Sequence, residues 1–268
     1  MTTQQAYETI ALSVADGVAT ITLNRPDDLN PLSVPMALEV LSVLEQVEGD
    51  PAIRAVLITG AGRAFSSGAD LKGGDRGLTP EGKPDVLTAL RTAYNPLILK
   101  LMTIPKPVVA AVNGGAVGIG ASLAWACDLV VAADSAYFLL AFVNIGLTVD
   151  GGASISLPSR VGYARAMEMA LLGERVPAET ALQWGMINRV VAGEELAAAA
   201  GELAAKLAAG PPGSFAASKR LLNEGCLTDL EARLDDEAVA QQERAESTDF
   251  VEGVMAFLQK RPANFQGS

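Results

Sequence analysis

An uncharged stretch, residues 107–127, is the feature that most constrains what this chain can fold into. A segment of this length could span a bilayer. It opens with the valine-rich residues 108–112, which are typical of a strand, continues through a glycine cluster at 113–120, and ends in residues 121–126 of helical composition. Glycine-rich irregular backbone is disfavoured in lipid because its polar groups would have no partners there. The stretch therefore predicts a buried strand, a tight turn and a buried helix, with no membrane span.

Strand and helix patterns alternate through the first part of the chain. Apolar strand-like runs occur at 18–23, 55–59 and 129–132, and helical periodicity lies between and after them at 34–47, 86–102 and 165–172. Such alternation is typical of an α/β core. After residue 194 the strand signal disappears, and the segments 194–209, 213–223 and 229–246 have helical patterns. The sequence therefore predicts an α/β core over residues 1–193 and a helical C-terminal region over residues 194–268.

Composition excludes several kinds of chemistry. The 268 residues include no histidine, which excludes Ser-His-Asp, Cys-His and histidine–metal sites, so no metal centre is predicted. The net charge of −11 and the lack of a long basic run argue against nucleic acid and against an anionic membrane surface as partners. Two cysteines give no disulfide framework, and the polar first residues lack the apolar core of a signal peptide. A cytoplasmic location is expected.

Two glycine-bounded turns present backbone N–H groups in similar ways. One is the segment 64–71, shortly after the strand at 55–59, and the other is Gly118-Ile119-Gly120 at the start of a helix. Small residues allow a ligand to approach the main chain, and a helix N-terminus carries free N–H groups. Two such turns could hold an oxygen that becomes negative during a reaction, although glycine-rich turns after strands are also common for purely structural reasons. A phosphate loop fits less well because no Gly-Lys-Ser/Thr follows.

Asp150 is a lone carboxylate that follows the uncharged run 136–149 and precedes two glycines. Aspartate before glycine is a strong turn signal, and aspartate also caps helices. These uses dominate for aspartate and are favoured by the local sequence, but a carboxylate in an apolar stretch is also a candidate acid/base in a chain without histidine. The local sequence leaves these alternatives open. For the acidic run 229–237 and for Asp249, we interpret the pattern as solvated helix surface and as a helix cap.

Several motifs in order along the chain carry a family resemblance. They are Leu23-Asn24-Arg25-Pro26 with Asn30, the segment AFSSGADL at 64–71, Lys106-Pro107-Val108 with Asn113-Gly114, Cys127-Asp128, and FLQKRPANF at 257–265. With these motifs the sequence resembles the crotonase family of enoyl-CoA hydratases and isomerases from end to end. The resemblance implies a crotonase-like spiral of ββα units with a helical C-terminal trimerisation region, and a homotrimer or a dimer of trimers. It also implies an acyl-CoA substrate and no separate cofactor, because coenzyme A is part of the substrate.

The resemblance assigns roles to particular residues. The N–H groups of Ala69 and Ile119 would form an oxyanion hole for the thioester carbonyl, and Asp150 stands where isomerase members place their acid/base. The coenzyme A moiety would lie along residues 25–29 and 66–71, with Asp70 positioning the first turn, and residues near the C-terminus would complete the site from a neighbouring subunit. The substrate-binding residues implied in this way are Arg25, Leu29, Ser66, Gly68, Asp70, Leu71, Gly118, Phe142, Phe257 and Lys260.

The sequence departs from the hydratase pattern at two positions. Where hydratases carry two glutamates, this chain has Ser122 and Phe142, which cannot activate water or deliver a proton. Within the family, the segments 59–63, 94–97 and 182–191 are most similar to the branch that isomerises a ring epoxide during phenylacetate breakdown. We therefore predict an isomerase of enoyl-CoA-type thioesters that shifts a double bond or isomerises a ring epoxide. The alternatives are weak hydratase or hydrolase activity, or a non-catalytic acyl-CoA-binding protein.

Overall fold

The computed structural model describes residues 7–71 and 77–268. The strands in chain order are β1 (Ile10–Ala15), β2 (Val18–Leu23), β3 (Ala55–Gly60), β4 (Ala64–Ser66), β5 (Val108–Val112), β6 (Gly115–Val117), β7 (Leu129–Ala133), β8 (Tyr137–Leu139), β9 (Val176–Pro177) and β10 (Arg189–Val191). The helices are α1 (Val34–Gly49), α2 (Val86–Ala89), α3 (Asn95–Thr103), α4 (Ile119–Ala126), α5 (Ala153–Val161), α6 (Tyr163–Leu172), α7 (Ala178–Gln183), α8 (Leu196–Ala208), α9 (Pro212–Cys226), α10 (Leu230–Ala245) and α11 (Thr248–Gln259). A π-helical turn at Leu90–Tyr94 joins α2 to α3, and a short 3-10 turn lies at Val143–Ile145.

Two sheets form the core, and the chain alternates between them. The larger sheet has the order β1-β2-β3-β5-β7-β10, antiparallel only between β1 and β2, and the smaller has the order β4-β6-β8-β9. In the middle of the chain, successive turns each add one strand to the larger sheet, one strand to the smaller sheet and then a helix, as in β5-β6-α4 and β7-β8-α5. The side chains of β5 are all buried, as expected for a parallel strand covered on both faces. The prediction of an α/β spiral of ββα units is confirmed.

The uncharged stretch 107–127 forms β5, β6 and α4, as its glycines and valines predict. Within residues 7–71 and 77–268, no helix has both the length and the apolar character needed to cross a membrane. The strands of the larger sheet that the sequence predicts, at 18–23, 55–59, 108–112 and 129–132, are all present. The three-residue strands β4, β6 and β8 escaped prediction because so short a run shows no period.

Four helices make up the C-terminal region. Helix α8 packs against β3 and β5 of the larger sheet, and its buried side chains join the main hydrophobic core. Helix α10 packs against α2, α3 and α5, and α11 packs against the 3-10 turn at Val143–Ile145. The division of the chain at residue 193 stays a prediction. These contacts bring α10 and α11 next to the segment that carries Asp150.

Candidate active site

The two glycine turns lie side by side because they follow neighbouring strands. Strands β4 and β6 are parallel, with Ala64 opposite Gly115 and Ser66 opposite Ala116. Gly68 has a φ of +95°, and a β-carbon there would lie 3.0 Å from the carbonyl oxygen of Val117. A β-carbon on Gly120 would lie 2.7 Å from the Cβ of Ser66. Glycine at both positions therefore allows the two turns to pack closely against each other, because a β-carbon would collide with the neighbouring turn.

In each turn, one backbone N–H group donates no hydrogen bond to another described residue. The N–H of Leu32 donates to Gly68 O at 2.8 Å and the N–H of Asp70 donates to Leu32 O at 3.2 Å, which is a parallel bridge that does not use the N–H of Ala69. Helix α4 begins at Ile119, so the N–H of Ile119 belongs to the first turn and has no acceptor within the helix. Among the described residues, no oxygen accepts from either of these N–H groups. Two such donors beside one cavity can stabilise an oxyanion.

A cavity of about 330 Å³ lies against both turns. Most of its wall is apolar, and the 8%-exposed ring of Phe142 packs over Gly118, where a β-carbon would lie 3.6 Å from the ring. The cavity is lined by Ser67, Gly68, Ala69, Leu71, Val86, Ala89, Leu90, Tyr94, Val117, Gly118, Ile119, Tyr137, Leu139, Ala141, Phe142, Asn144, Ile145, Leu147, Asp150, Arg175, Gln241 and Phe257. A pocket with this lining suits an apolar group of a ligand with a few directed polar contacts.

Asp150 lies on the wall of this cavity and is 6% exposed. Its backbone carbonyl accepts from Ser122 Oγ at 2.8 Å, and its Oδ2 accepts from Gln241 Nε2 at 2.9 Å. Ser122 thus ties α4 to the Asp150 segment. The cap interpretation of Asp150 is wrong for its side chain, because the carboxylate that receives the N–H groups at the start of α5 is that of Glu237.

Glu237 is buried, so the interpretation of the run 229–237 as solvated surface is wrong at this residue. Its Oε2 accepts from the N–H of Gly152 at 2.7 Å, and its Oε1 accepts from the N–H of Ser154 at 2.8 Å. Burial raises the pKa of Glu237, and the hydrogen bonds from Ser154 and Gly152 oppose that effect. The side chain fixes the segment just after Asp150 to α10.

The segment that follows β2 lies along the first turn. Arg25 Nη1 donates to Asp70 Oδ2 at 2.6 Å, and this hydrogen bond is the main cause of the raised pKa of Arg25. The N–H of Ser67 donates to Leu29 O at 2.9 Å. The buried side chain of Asn30 accepts from Arg25 N–H at 2.9 Å and donates to two carbonyl oxygens, at 2.8 Å each. The two segments to which the sequence assigned the coenzyme A moiety are therefore neighbours.

The predicted site residues fall into two groups. Those that line the cavity are Gly68, Ala69, Leu71, Gly118, Ile119, Phe142, Asp150 and Phe257. Ser66 and Asp70 belong to the first turn, and Arg25 and Leu29 lie beside it, but none of the four lines the cavity. Ser66 Oγ accepts from Gly68 N–H at 3.3 Å. Lys260 is exposed at the end of α11 and does not line the cavity.

Phe257 reaches the cavity from its own chain. The family resemblance implies that this part of the chain acts from a neighbouring subunit, but α11 folds back onto the 3-10 turn at Val143–Ile145. Gly253 permits this contact, since a β-carbon there would lie 2.6 Å from the Ile145 backbone. A single chain therefore supplies this phenylalanine of the cavity wall.

Gln241 and Tyr94 are among the polar residues of the cavity wall that sequence reasoning missed. Gln241 is 2% exposed and lines the cavity from α10, and Tyr94 lines it from the π-helical turn and donates to Leu32 O at 2.8 Å. The only available signal for Gln241 was its place on the helix face of Leu234 and Ala238, where a buried polar residue needs partners. No local pattern indicated which partners those would be.

The chain is similar to known proteins over nearly its whole length. The family model described as enoyl-CoA hydratase/isomerase matches residues 13–268. A Rhodobacter capsulatus protein named "Probable enoyl-CoA hydratase" is 44% identical over 263 residues, covering 98% of this chain and 99% of the relative. The 1,2-epoxyphenylacetyl-CoA isomerase of Escherichia coli is 45% identical over 261 residues, covering 97% and 99%. A crystal structure of an enoyl-CoA hydratase from Mycobacterium avium subsp. paratuberculosis matches with a TM-score of 0.88 at 40% identity, covering 97% of this chain and 100% of that chain.

Proposed function

Because this chain belongs to the enoyl-CoA hydratase/isomerase (crotonase) family and is an enzyme of that family, we propose that it is an isomerase of enoyl-CoA-type thioesters with Asp150 as its acid/base. The observation that carries the proposal is the composition of the cavity wall. Asp150 is the one carboxylate that the described residues place there, together with the N–H groups of Ala69 and Ile119. Ser122 and Phe142 stand where the hydratase pattern has glutamates, so a reaction that needs a single carboxylate fits best.

The proposed reaction begins with the thioester carbonyl oxygen between the N–H groups of Ala69 and Ile119. The Asp150 carboxylate takes a proton from a carbon of the enoyl chain, and the electron pair of that C–H bond spreads onto the carbonyl oxygen. The resulting dienolate accepts the same proton from Asp150 two carbons away, which restores the carboxylate and leaves the double bond moved. Each oxyanion donor contributes roughly 3 kcal/mol to such a step.

The walls favour an acyl group that is apolar or aromatic. Leu90, Tyr94, Phe142 and Leu147 line the same cavity as Asp150. The similarity to the 1,2-epoxyphenylacetyl-CoA isomerase supports an aryl thioester, including a ring epoxide, as one substrate class. The route needs no metal or redox cofactor because the proton and the electron pair stay within substrate and Asp150. The homotrimer or dimer of trimers that the family resemblance implies stays a prediction.

Asp150→Asn tests the proposal. The amide oxygen can still accept from Gln241, so the fold and the affinity for the acyl-CoA are expected to persist. General-base catalysis is worth roughly 10²–10⁴-fold, so kcat falls by that factor while the Kd for a non-reacting ester such as phenylacetyl-CoA stays within a few-fold. The assay follows conversion of 3-enoyl-CoA to 2-enoyl-CoA and of an aryl-epoxide CoA ester, with products identified by mass spectrometry and NMR.

The matched control is Asp236→Asn, which removes an exposed carboxylate from α10 and should leave turnover unchanged. Equal turnover of Asp150→Asn and wild type would overturn the assignment of the base. A product heavier by one water would identify hydration instead of isomerisation.

A further inference from the structure

Helix α10 of the C-terminal region contacts the Asp150 segment through four hydrogen bonds, two accepted by Glu237 and two donated by Gln241. Gln241 follows Glu237 by one helical turn, so both side chains leave the same face of α10. Gln241 Nε2 donates to Thr148 O at 2.7 Å and to Asp150 Oδ2 at 2.9 Å. The segment 148–154 is thus held on both sides of Asp150.

The orientation of the Gln241 amide is fixed by its partners. Thr148 O and a carboxylate oxygen both accept, so only the NH₂ group can face them and the amide cannot be turned over. Gln241 Oε1 is buried and has no donor within the part of the chain that the structure describes. The side chain is 2% exposed and belongs to the cavity wall. A buried amide held in this way acts on the carboxylate only as a donor.

A donor at this place has two effects on a carboxylate base. It restricts rotation of the Asp150 side chain, and small displacements of a catalytic group have large effects on rate. It also favours the charged form of the carboxylate, which is the form that removes a proton. The Ser122 hydroxyl holds the Asp150 backbone from α4, on another element, so Gln241 acts on the side chain and Ser122 on the main chain.

On the premise of the proposed function, we propose that Gln241 is a positioning residue that holds the Asp150 carboxylate in its reactive orientation and in its charged form. This assigns the helical C-terminal region a direct part in the chemistry of the spiral core. Among the described residues, the other ionisable groups that line the cavity are Tyr94, Tyr137 and Arg175, and Glu237 contacts the segment 148–154.

Gln241→Met tests the proposal because methionine has a similar size and no donor. We expect kcat to fall about 100-fold, in line with displacement of a catalytic group, while the Kd for phenylacetyl-CoA stays within a few-fold. The acid limb of the pH–rate profile should move to higher pH because the charged carboxylate has lost a donor. Glu243→Met, an exposed position on the same helix, is the control and should match wild type in both readouts.

Gln241→Glu is a second variant, which tests the inference independently in case Gln241→Met does not fold. Its side chain donates only when protonated, so its rate relative to wild type should fall as pH rises, which loss of packing alone does not predict. The inference is overturned if Asp150→Asn loses turnover while Gln241→Met and Gln241→Glu keep the wild-type kcat and pH profile. A wild type that shifts no double bond and opens no epoxide overturns the proposed function, and this inference with it.

Discussion

Asn30 offers the sharpest test of how the first turn of the site is held in place. Its side chain is fully buried and makes three hydrogen bonds, from Arg25 N–H and to the carbonyl oxygens of Ala61 and Ala64. Its backbone has a φ of +53°, a left-handed conformation that asparagine tolerates better than most residues. Asn30→Ala therefore removes three hydrogen bonds and puts a residue with a β-carbon and no polar group into an unfavourable backbone region.

The expected loss of stability is about 4 kcal/mol. Three neutral hydrogen bonds contribute about 1 kcal/mol each, and the left-handed conformation costs alanine a further 1–2 kcal/mol or so. The loss of bonds to Ala64 O is partly offset because that oxygen also accepts from Asn113 Nδ2 at 3.3 Å. Asn30→Gly removes the same bonds but accepts a positive φ, so it should be about 1 kcal/mol more stable than Asn30→Ala.

The assay is urea unfolding of wild type and of both variants, with the free energy of unfolding obtained by linear extrapolation. Asn223→Ala is the matched control, since that side chain makes one hydrogen bond, to Met102 O at 2.7 Å, on helix α9, where alanine is favourable. It should lose about 1 kcal/mol or less. The reasoning is refuted if Asn30→Ala costs no more than Asn223→Ala, or if the glycine variant is less stable than the alanine variant.

Two further predictions concern the ionisation of buried groups. Burial raises the pKa of Glu237 above its ordinary value of 4.5, so the folded protein binds this proton more tightly than the unfolded chain does. The free energy of unfolding should therefore decrease as pH rises from about 4.5 through the raised pKa. Glu237→Gln should therefore flatten this decline in urea unfolding measured from acid to neutral pH, and an unchanged slope would contradict the assignment. Burial raises the pKa of Cys127 to about 12, whereas Cys226 is exposed, so a disulfide reagent should modify one thiol in the native protein and both in denaturant. A Cys226→Ser variant that still reacts at the native wild-type rate would show this to be wrong.

Much of the fold follows from local sequence. The uncharged residues 107–127 could only be a buried strand, turn and helix once their glycines were taken into account, and that segment carries one of the two oxyanion donors proposed here. Four strands of the larger sheet, β2, β3, β5 and β7, were visible because they are long enough to show alternating or continuous apolar runs, whereas its edge strands β1 and β10 were not predicted. Strands of three residues, such as β4, were invisible, although β4 is what brings Ser66 next to Gly120.

The family resemblance, more than any local pattern, directed attention to Ala69, Ile119 and Asp150. Local sequence left the role of Asp150 undecided between a cap, a turn and an acid/base. In the structure the Asp150 side chain does not cap α5, because Glu237 of α10 accepts the hydrogen bonds from the N–H groups at the start of that helix. Phe257 was expected from a neighbour, and only the folding of α11 onto the 3-10 turn at Val143–Ile145 brings it to its own cavity.

The sequence by itself determined the class of fold, the two glycine turns and the single carboxylate in an apolar segment. Each of these depends on residues that are neighbours along the chain, where period, glycine and charge can be read directly. Only the tertiary structure decided what holds that carboxylate, because Gln241 lies 91 residues away from Asp150. A buried polar side chain must find a partner, but which partner it finds depends on how the helices pack, and no local pattern contains that information.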